Sequence, residues 1–254
     1  MLSAPHAIDT VLLAYVFGVF VLGGLIKGVS GFGMPLVTVP LIALVAPVPT
    51  AVALSLLPII ISNISQGYEC RRHYQVLGLV WPLLISLAVS LSLAVQLLGS
   101  FRPEVLAIII GVMIQVFVIS QMTPNPPLIP TRWRFGSLIG AGLSSGLLGG
   151  MTSFYGFPAL QALLALGLGR NEFILASSLF FLVGSVILGA GLLMQDIASP
   201  MHLLLSLVCV LPTQLGMSLG EFIRERLSQA MFRGITLAVL SATGLAMIVR
   251  ALIA

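Results

Sequence analysis

The stretch IKGVSGFGMPLVTVP, from Ile26 to Pro40, sets the chain's sole lysine, Lys27, beside Gly28, Gly31 and Gly33 and ahead of Pro35 and Pro40. Glycines so closely spaced make a poor helix interior, and each proline removes a further backbone donor. A helix broken in this way leaves N–H groups without internal partners. Where the next helical segment starts, such groups attract an anion. A lysine alongside adds a full counter-charge. The chemistry predicted is recognition of a negative solute by Lys27, the Ser30 hydroxyl and the amides around Gly28, Gly31 and Gly33. The competing assignment makes Lys27 a helix-end cation whose long stem lets its ammonium reach water.

A second cluster, GLLGGMTSFYGFPAL from Gly146, carries Gly149, Gly150, Ser153, Tyr155 and Gly156 but no cation. It can be laid on the first so that Gly28 meets Gly146, Gly31 meets Gly149 and Pro40 meets Pro158. Further on, ALSLL from Ala53 resembles ASSLF from Ala176. Glycines, proline and small residues agree in order, which points to an internal duplication. One anion could be held by both clusters, with donors from Ser30 and Ser153, only if the two hairpins are re-entrant and their tips meet near a membrane midplane. Asn63 is a further candidate ligand. It belongs with Gln66, Gln115, Gln161 and Gln214 to a set of polar residues inside apolar segments. The alternative for each is an interhelical hydrogen bond, worth roughly 0.6 to 2 kcal/mol in a membrane.

The elements that must position these residues are membrane helices. Of the 254 residues, 59% are hydrophobic and 7% charged, too few charges to cover a water-facing surface. Neither 28–68 nor 135–169 contains an Asp, Glu, Lys or Arg. About 20 apolar residues cross a bilayer as a helix, and the regular alternation of a membrane barrel is absent. The expected fold is all-α: a polytopic transmembrane bundle of about eight to ten segments, built as an inverted repeat with glycine-broken re-entrant hairpins. Ten segments or half-segments can be drawn. The linker TPNPPLIPTRWR, whose prolines cannot be helical, separates a first repeat (1–122) from a second (135–254), itself occupying 123–134 on the cytoplasmic side. Two halves of five segments must face opposite ways. Placing Arg71, Arg72, Arg132, Arg134, Arg170, Arg224, Arg226 and Arg233 inside leaves only Arg102 and Arg250 outside, apart from Lys27. That distribution follows the rule that cytoplasmic loops collect basic residues and puts both termini outside. The start, MLSAPHAIDT, lacks the basic opening of a signal peptide, so 10–26 is expected to be a resident helix.

Several function classes are disfavoured. The net charge of +4 comes from scattered arginines, without the stripe a nucleic acid would need. Cys70 and Cys209 have neither disulfide-framework number nor metal-ligand spacing, and no cofactor motif is present. All seven acidic residues fall near segment ends, which disfavours a proton relay through a buried carboxylate. Gly28 to Gly31 spell GxSG, the pattern around the serine of rhomboid intramembrane proteases. That alternative needs a base in hydrogen-bond reach of Ser30, yet His6, His73 and His202 are all expected at membrane surfaces. A membrane scaffold would not require the glycine–proline breaks.

The stretch KGVSGFGMPLVTVPLI followed by PVPTAVALSLL, and the stretch SGLLGGMTSFYGFPAL followed by ASSLFFLVGS, resemble the two signatures of the TauE/SafE family of sulfite and organosulfonate exporters. The resemblance extends over essentially the whole chain. It implies a non-enzymatic permease of the bacterial inner membrane. Its cargo would be sulfite, an organosulfonate, or another small sulfur-containing or carboxylate anion. It also implies substrate contacts at Lys27, Gly28, Ser30, Gly31 and Gly33, and at Gly149, Gly150, Ser153, Tyr155 and Gly156. A small anion and the lipid bilayer are the expected partners; a homo-oligomer is compatible with the sequence.

Overall fold

A computed structural model describes residues 10–97, 102–122, 128–224 and 229–253. Ten α-helices account for most of them: α1 (Thr10–Ser30), α2 (Met34–Ala43), α3 (Val48–Glu69), α4 (Leu77–Ala94), α5 (Pro103–Met122), α6 (Thr131–Thr152), α7 (Ala159–Leu164), α8 (Arg170–Met194), α9 (Pro200–Arg224) and α10 (Gln229–Ile253). Among the described residues, seven of these helices are long and apolar enough to cross a membrane. The chain is a polytopic helical bundle. The exceptions are α2 and α7, with 10 and 6 residues, and α6, which is 22 residues long but rich in glycine and serine. Large apolar side chains such as Ile85, Val89, Ile119, Leu211 and Leu215 face outward, as lipid contact requires.

Helix α6 begins at Thr131, straight after Pro130. The linker is therefore shorter than the prolines and the following TRWR suggested. The last proline ends the constraint, and Thr131–Arg134 are free to form the first helical turn. Residues 123–127 of the linker lie outside the described residues.

The most extensive helix contacts pair α1 with α9, α4 with α6, and α5 with α10. The first two pairs mirror each other and depend on close backbone approach. A Cβ at Gly24 would fall 2.2 Å from the Thr213 carbonyl oxygen, and one at Gly28 would fall 2.2 Å from that of Met217. On the other pair, a Cβ at Gly146 would sit 1.9 Å from the Ser90 Oγ, and one at Gly150 would sit 2.4 Å from the Ala94 Cβ. Residue numbers rise together in both pairs, so each is parallel. Small residues at such crossings let two helices gain dispersion contacts that lipid cannot supply. Helices α5 and α10 cross antiparallel where Gly111 meets Gly244, and Gln115 bridges them to Ser241 through Nε2 (2.8 Å to the carbonyl) and Oε1 (3.0 Å from the hydroxyl).

Within the first repeat, Tyr15 contacts Leu41, Gly23 contacts Thr38 and Met34, and Met34 contacts Ser62. Thus α2 runs against both α1 and α3. One end of the bundle holds the starts of α6 and α8 and the turn after α3, where Asn171 and His73 meet at 3.3 Å. We term this the linker end. The opposite end, the terminal end, holds the ends of α4 and α8, joined by Gln195 Nε2 to the Val95 carbonyl at 2.9 Å.

Candidate functional site

Each glycine cluster ends a long helix through the same set of hydrogen bonds. In the first, the Gly31 N–H reaches the Lys27 carbonyl at 2.7 Å. The Ser30 hydroxyl lies 2.7 Å from the Ile26 carbonyl, and Phe32 N lies 3.4 Å from Ser30 Oγ. In the second, the Ser153 N–H reaches the Gly149 carbonyl at 2.6 Å. The Thr152 hydroxyl lies 2.6 Å from the Leu148 carbonyl, and Phe154 N lies 3.2 Å from Thr152 Oγ1. Ser30 therefore corresponds to Thr152 and Gly31 to Ser153. The left-handed residue that stops the helix has φ 84° at Gly31 and 63° at Ser153. This shifts the equivalence by one helical turn from the glycine-on-glycine match: Gly24 pairs with Gly146 and Gly28 with Gly150. The glycine letters coincide at the wrong register because Gly28 and Gly150 serve helix packing, whereas the turn is made by glycine in one repeat and serine in the other.

The two breaks do not meet. Gly31 abuts Ile174, near the start of α8, whereas Gly150 abuts Ala94 and Val95, and Val95 abuts Gly191 near the end of α8. Ile174 to Gly191 spans about 25 Å of helix axis, most of a bilayer core. A single anion bridging Ser30 and Ser153 is thus excluded in this conformation. The parallel course of each repeat's first helix with its partner in the other repeat carries the two breaks to opposite ends.

Lys27 does not snorkel. Its side chain is 1% exposed, and Nζ donates to Asn63 Oδ1 at 2.5 Å, with Asn63 itself 2% exposed. The Asn63 amide nitrogen is held by the Ile59 carbonyl at 2.7 Å, which fixes the oxygen toward the lysine. Among the described residues no carboxylate lies within ion-pair distance of Lys27. One turn further along α3, the Gln66 Oε1 is buried without a partner. In the second repeat Gly149 stands where Lys27 does, and a Cβ there would meet the Tyr155 Cβ at 2.3 Å. The Tyr155 ring is buried against Phe180 and Phe181, and its hydroxyl donates to the Phe181 carbonyl at 3.1 Å. A neutral phenol thus occupies the second repeat where a cation occupies the first.

A cavity of about 520 Å³ opens at the linker end among α1, α2, α5, α7, α8 and α10. Ser30 and Gly33 line it, together with Gln121, Arg170 and Thr236. Lys27 is not among its walls; it points across α1 to α3. Ser30 offers no free donor, since its single proton faces two carbonyls, Ile26 at 2.7 Å and Phe32 at 2.6 Å. Its expected role as a ligand donor is corrected accordingly. Ser153 keeps a buried, unpartnered hydroxyl, but at the far end. Gly156 packs on Leu36. The Ser30 bonds also leave nothing for a protease: the two described histidines are engaged elsewhere, His73 with Asn171 and His202 with Ser199.

A model of the sulfite exporter TauE/SafE family matches residues 16–247. The chain belongs to that family. No curated protein and no solved structure matches significantly. As a TauE/SafE member the chain is a membrane transporter of the sulfur-anion exporter type. Sequence reasoning singled out Lys27 and Asn63 but not their pairing. It read Arg170 as a topology signal and passed over Gln121 and Thr236. A lining made from three helices so far apart in sequence leaves no local pattern.

Proposed function

We propose that this TauE/SafE protein is a permease of the bacterial inner membrane. Its cargo is a small sulfur-containing or carboxylate anion, sulfite or an organosulfonate, and both termini face outward. The observation carrying this reading is the Lys27–Asn63 pair: a buried ammonium with one amide oxygen and, among the described residues, no carboxylate partner. A charge in low dielectric is costly unless compensated, and an arriving anion supplies the compensation. The basic residues at the linker end support its assignment to the cytoplasm. Glycine N–H groups beside the Gly31–Gly33 break support anion contact near the start of α2. The buried, unpartnered Ser153 hydroxyl supports a second, neutral contact toward the terminal end.

Proteoliposome uptake over a panel of sulfite, sulfonates and carboxylates tests the proposal, with Lys27→Ala beside the wild type. The expected result is saturable uptake of at least one sulfur oxyanion, lowered tenfold or more by Lys27→Ala. Equal uptake by the two proteins would remove the counter-charge role.

A further inference from the structure

The linker-end cavity holds polar groups that the Lys27–Asn63 pair leaves unused. The Gln121 Nε2 and the Thr236 Oγ1 are both buried and have no hydrogen-bond partner, and both line the cavity with Arg170. Buried donors without acceptors are costly, so their convergence on one space marks a position where an acceptor belongs. Among the described residues, no acidic one lines the cavity. The nearest acid in sequence, Glu172, turns its Oε2 back to the Gly169 N–H at 2.9 Å, closing the first turn of α8. Among the described side chains, Arg170 is the cation that lines the cavity, and the start of α8 adds its own positive end.

Apart from Ser30, whose hydroxyl is engaged by backbone carbonyls, the remaining described walls are non-polar. Phe117, Leu163 and Leu240 are at most 3% exposed. At about 30 Å³ per displaced water, a bare four-atom oxyanion needs roughly 60–90 Å³. The cavity is several times larger and falls within the usual range of organic-ligand pockets.

We propose that this cavity is a second anion subsite, separate from Lys27. In it Arg170, Gln121 and Thr236 receive the oxyanion head of an organic solute whose hydrocarbon body lies against Phe117, Leu163 and Leu240. The proposal rests on the permease reading and adds to it an entry site with a preference for organic over inorganic oxyanions. Gln121 and Thr236 supply neutral donors, and Arg170 supplies a fork that matches two oxygens of one head group.

Cys70 gives a reporter independent of transport. Burial and Glu69 raise its thiol pKa, and the nearby Arg170 lowers it. An anion bound at Arg170 cancels that lowering, so less thiolate is present and alkylation slows.

The test uses the full chain in lipid nanodiscs with sulfite and 1-propanesulfonate as probes. Calorimetric binding is measured for the wild type, Arg170→Gln, Arg170→Lys, Gln121→Leu, Thr236→Val and, as a charge control outside the cavity, Arg132→Gln. Alkylation of Cys70 is followed with and without ligand. The wild type is expected to bind propanesulfonate at least tenfold tighter than sulfite. Arg170→Gln should lose tenfold or more, Gln121→Leu and Thr236→Val three- to tenfold each, with Arg170→Lys intermediate and Arg132→Gln within twofold. Propanesulfonate should slow Cys70 alkylation in the wild type and not in Arg170→Gln. Unchanged binding in Arg170→Gln, or equal loss in Arg132→Gln, overturns the subsite. If Lys27-dependent uptake persists in that case, only this inference falls; a wild type that neither binds nor transports any anion overturns the permease reading with it.

Discussion

Replacing Asn63 by leucine removes the one acceptor that a buried ammonium has among the described residues, while keeping the volume of the site close to its original value. Both residues are at most 2% exposed, and the Asn63 oxygen serves only Lys27, because its nitrogen is taken by Ile59. A charge left without a partner in the interior costs about 3–5 kcal/mol. Lys27→Met leaves only an amide oxygen unsatisfied, at about 1–3 kcal/mol. The double variant Lys27→Met/Asn63→Leu leaves neither group behind, and apolar replacements of similar shape are close to neutral. The single changes should therefore not add: the double variant should be more stable than Asn63→Leu alone, with a coupling of about 4 kcal/mol or more, since both single losses are recovered together. Neutral interhelical bonds in membranes average only about 0.6 kcal/mol, so the value separates a charged pair from an ordinary one. Reversible unfolding in mixed detergent micelles measures all four proteins. Additive losses, or an Asn63→Leu protein as stable as the wild type, would refute the reasoning.

Other consequences follow from particular contacts. Gly146→Ala and Gly24→Ala each push a methyl against the partner helix, 1.9 Å from Ser90 Oγ and 2.2 Å from the Thr213 carbonyl; each should cost about 1–3 kcal/mol by overpacking. Gly140→Ala, on the same helix as Gly146 but with nothing within 4 Å of its added Cβ, should be neutral or stabilising by up to about 1 kcal/mol. Thermal unfolding of the three variants checks the contrast. Tyr155→Phe, losing one hydroxyl bond to Phe181, should cost about 1 kcal/mol, and Tyr155→Ala about 3–5 kcal/mol. Because its thiol pKa is raised, Cys70 should alkylate with a midpoint above that of a free thiol. Arg170→Gln should move that midpoint higher still, as read from iodoacetamide rate against pH. Cysteines placed at Arg132 and Arg250 should react with impermeant maleimide from opposite sides of the membrane.

The number of helices and their approximate spans were legible because charge-free apolar runs have one stable form in lipid. Helix ends were less so: α1 and α6 run past Gly28 and Gly149, since a single glycine costs only about 1 kcal/mol and close packing on α9 and α4 offsets it. The duplication was visible, but its register was displaced by one turn. Glycine does two jobs here, and Ser153 takes the left-handed turn that Gly31 takes in the first repeat. Lys27 and Asn63 both stood out as polar residues in apolar surroundings. Their pairing depends on the depth at which α1 crosses α3, which residue types do not encode. The expected meeting of Ser30 with Ser153 failed for the same reason. Of the interhelical amides, Gln115 joins α5 to α10 and Gln161 joins α7 to Ser120 of α5, as the packing alternative anticipated.

Efflux from proteoliposomes preloaded with labelled sulfite or propanesulfonate, against an anion-free exterior, tests the transport claim most directly. Wild-type vesicles should empty much faster than protein-free vesicles and than those carrying Lys27→Ala, and excess unlabelled anion inside should slow the loss of label. Release at the protein-free rate for every sulfur oxyanion and carboxylate tried would contradict the account.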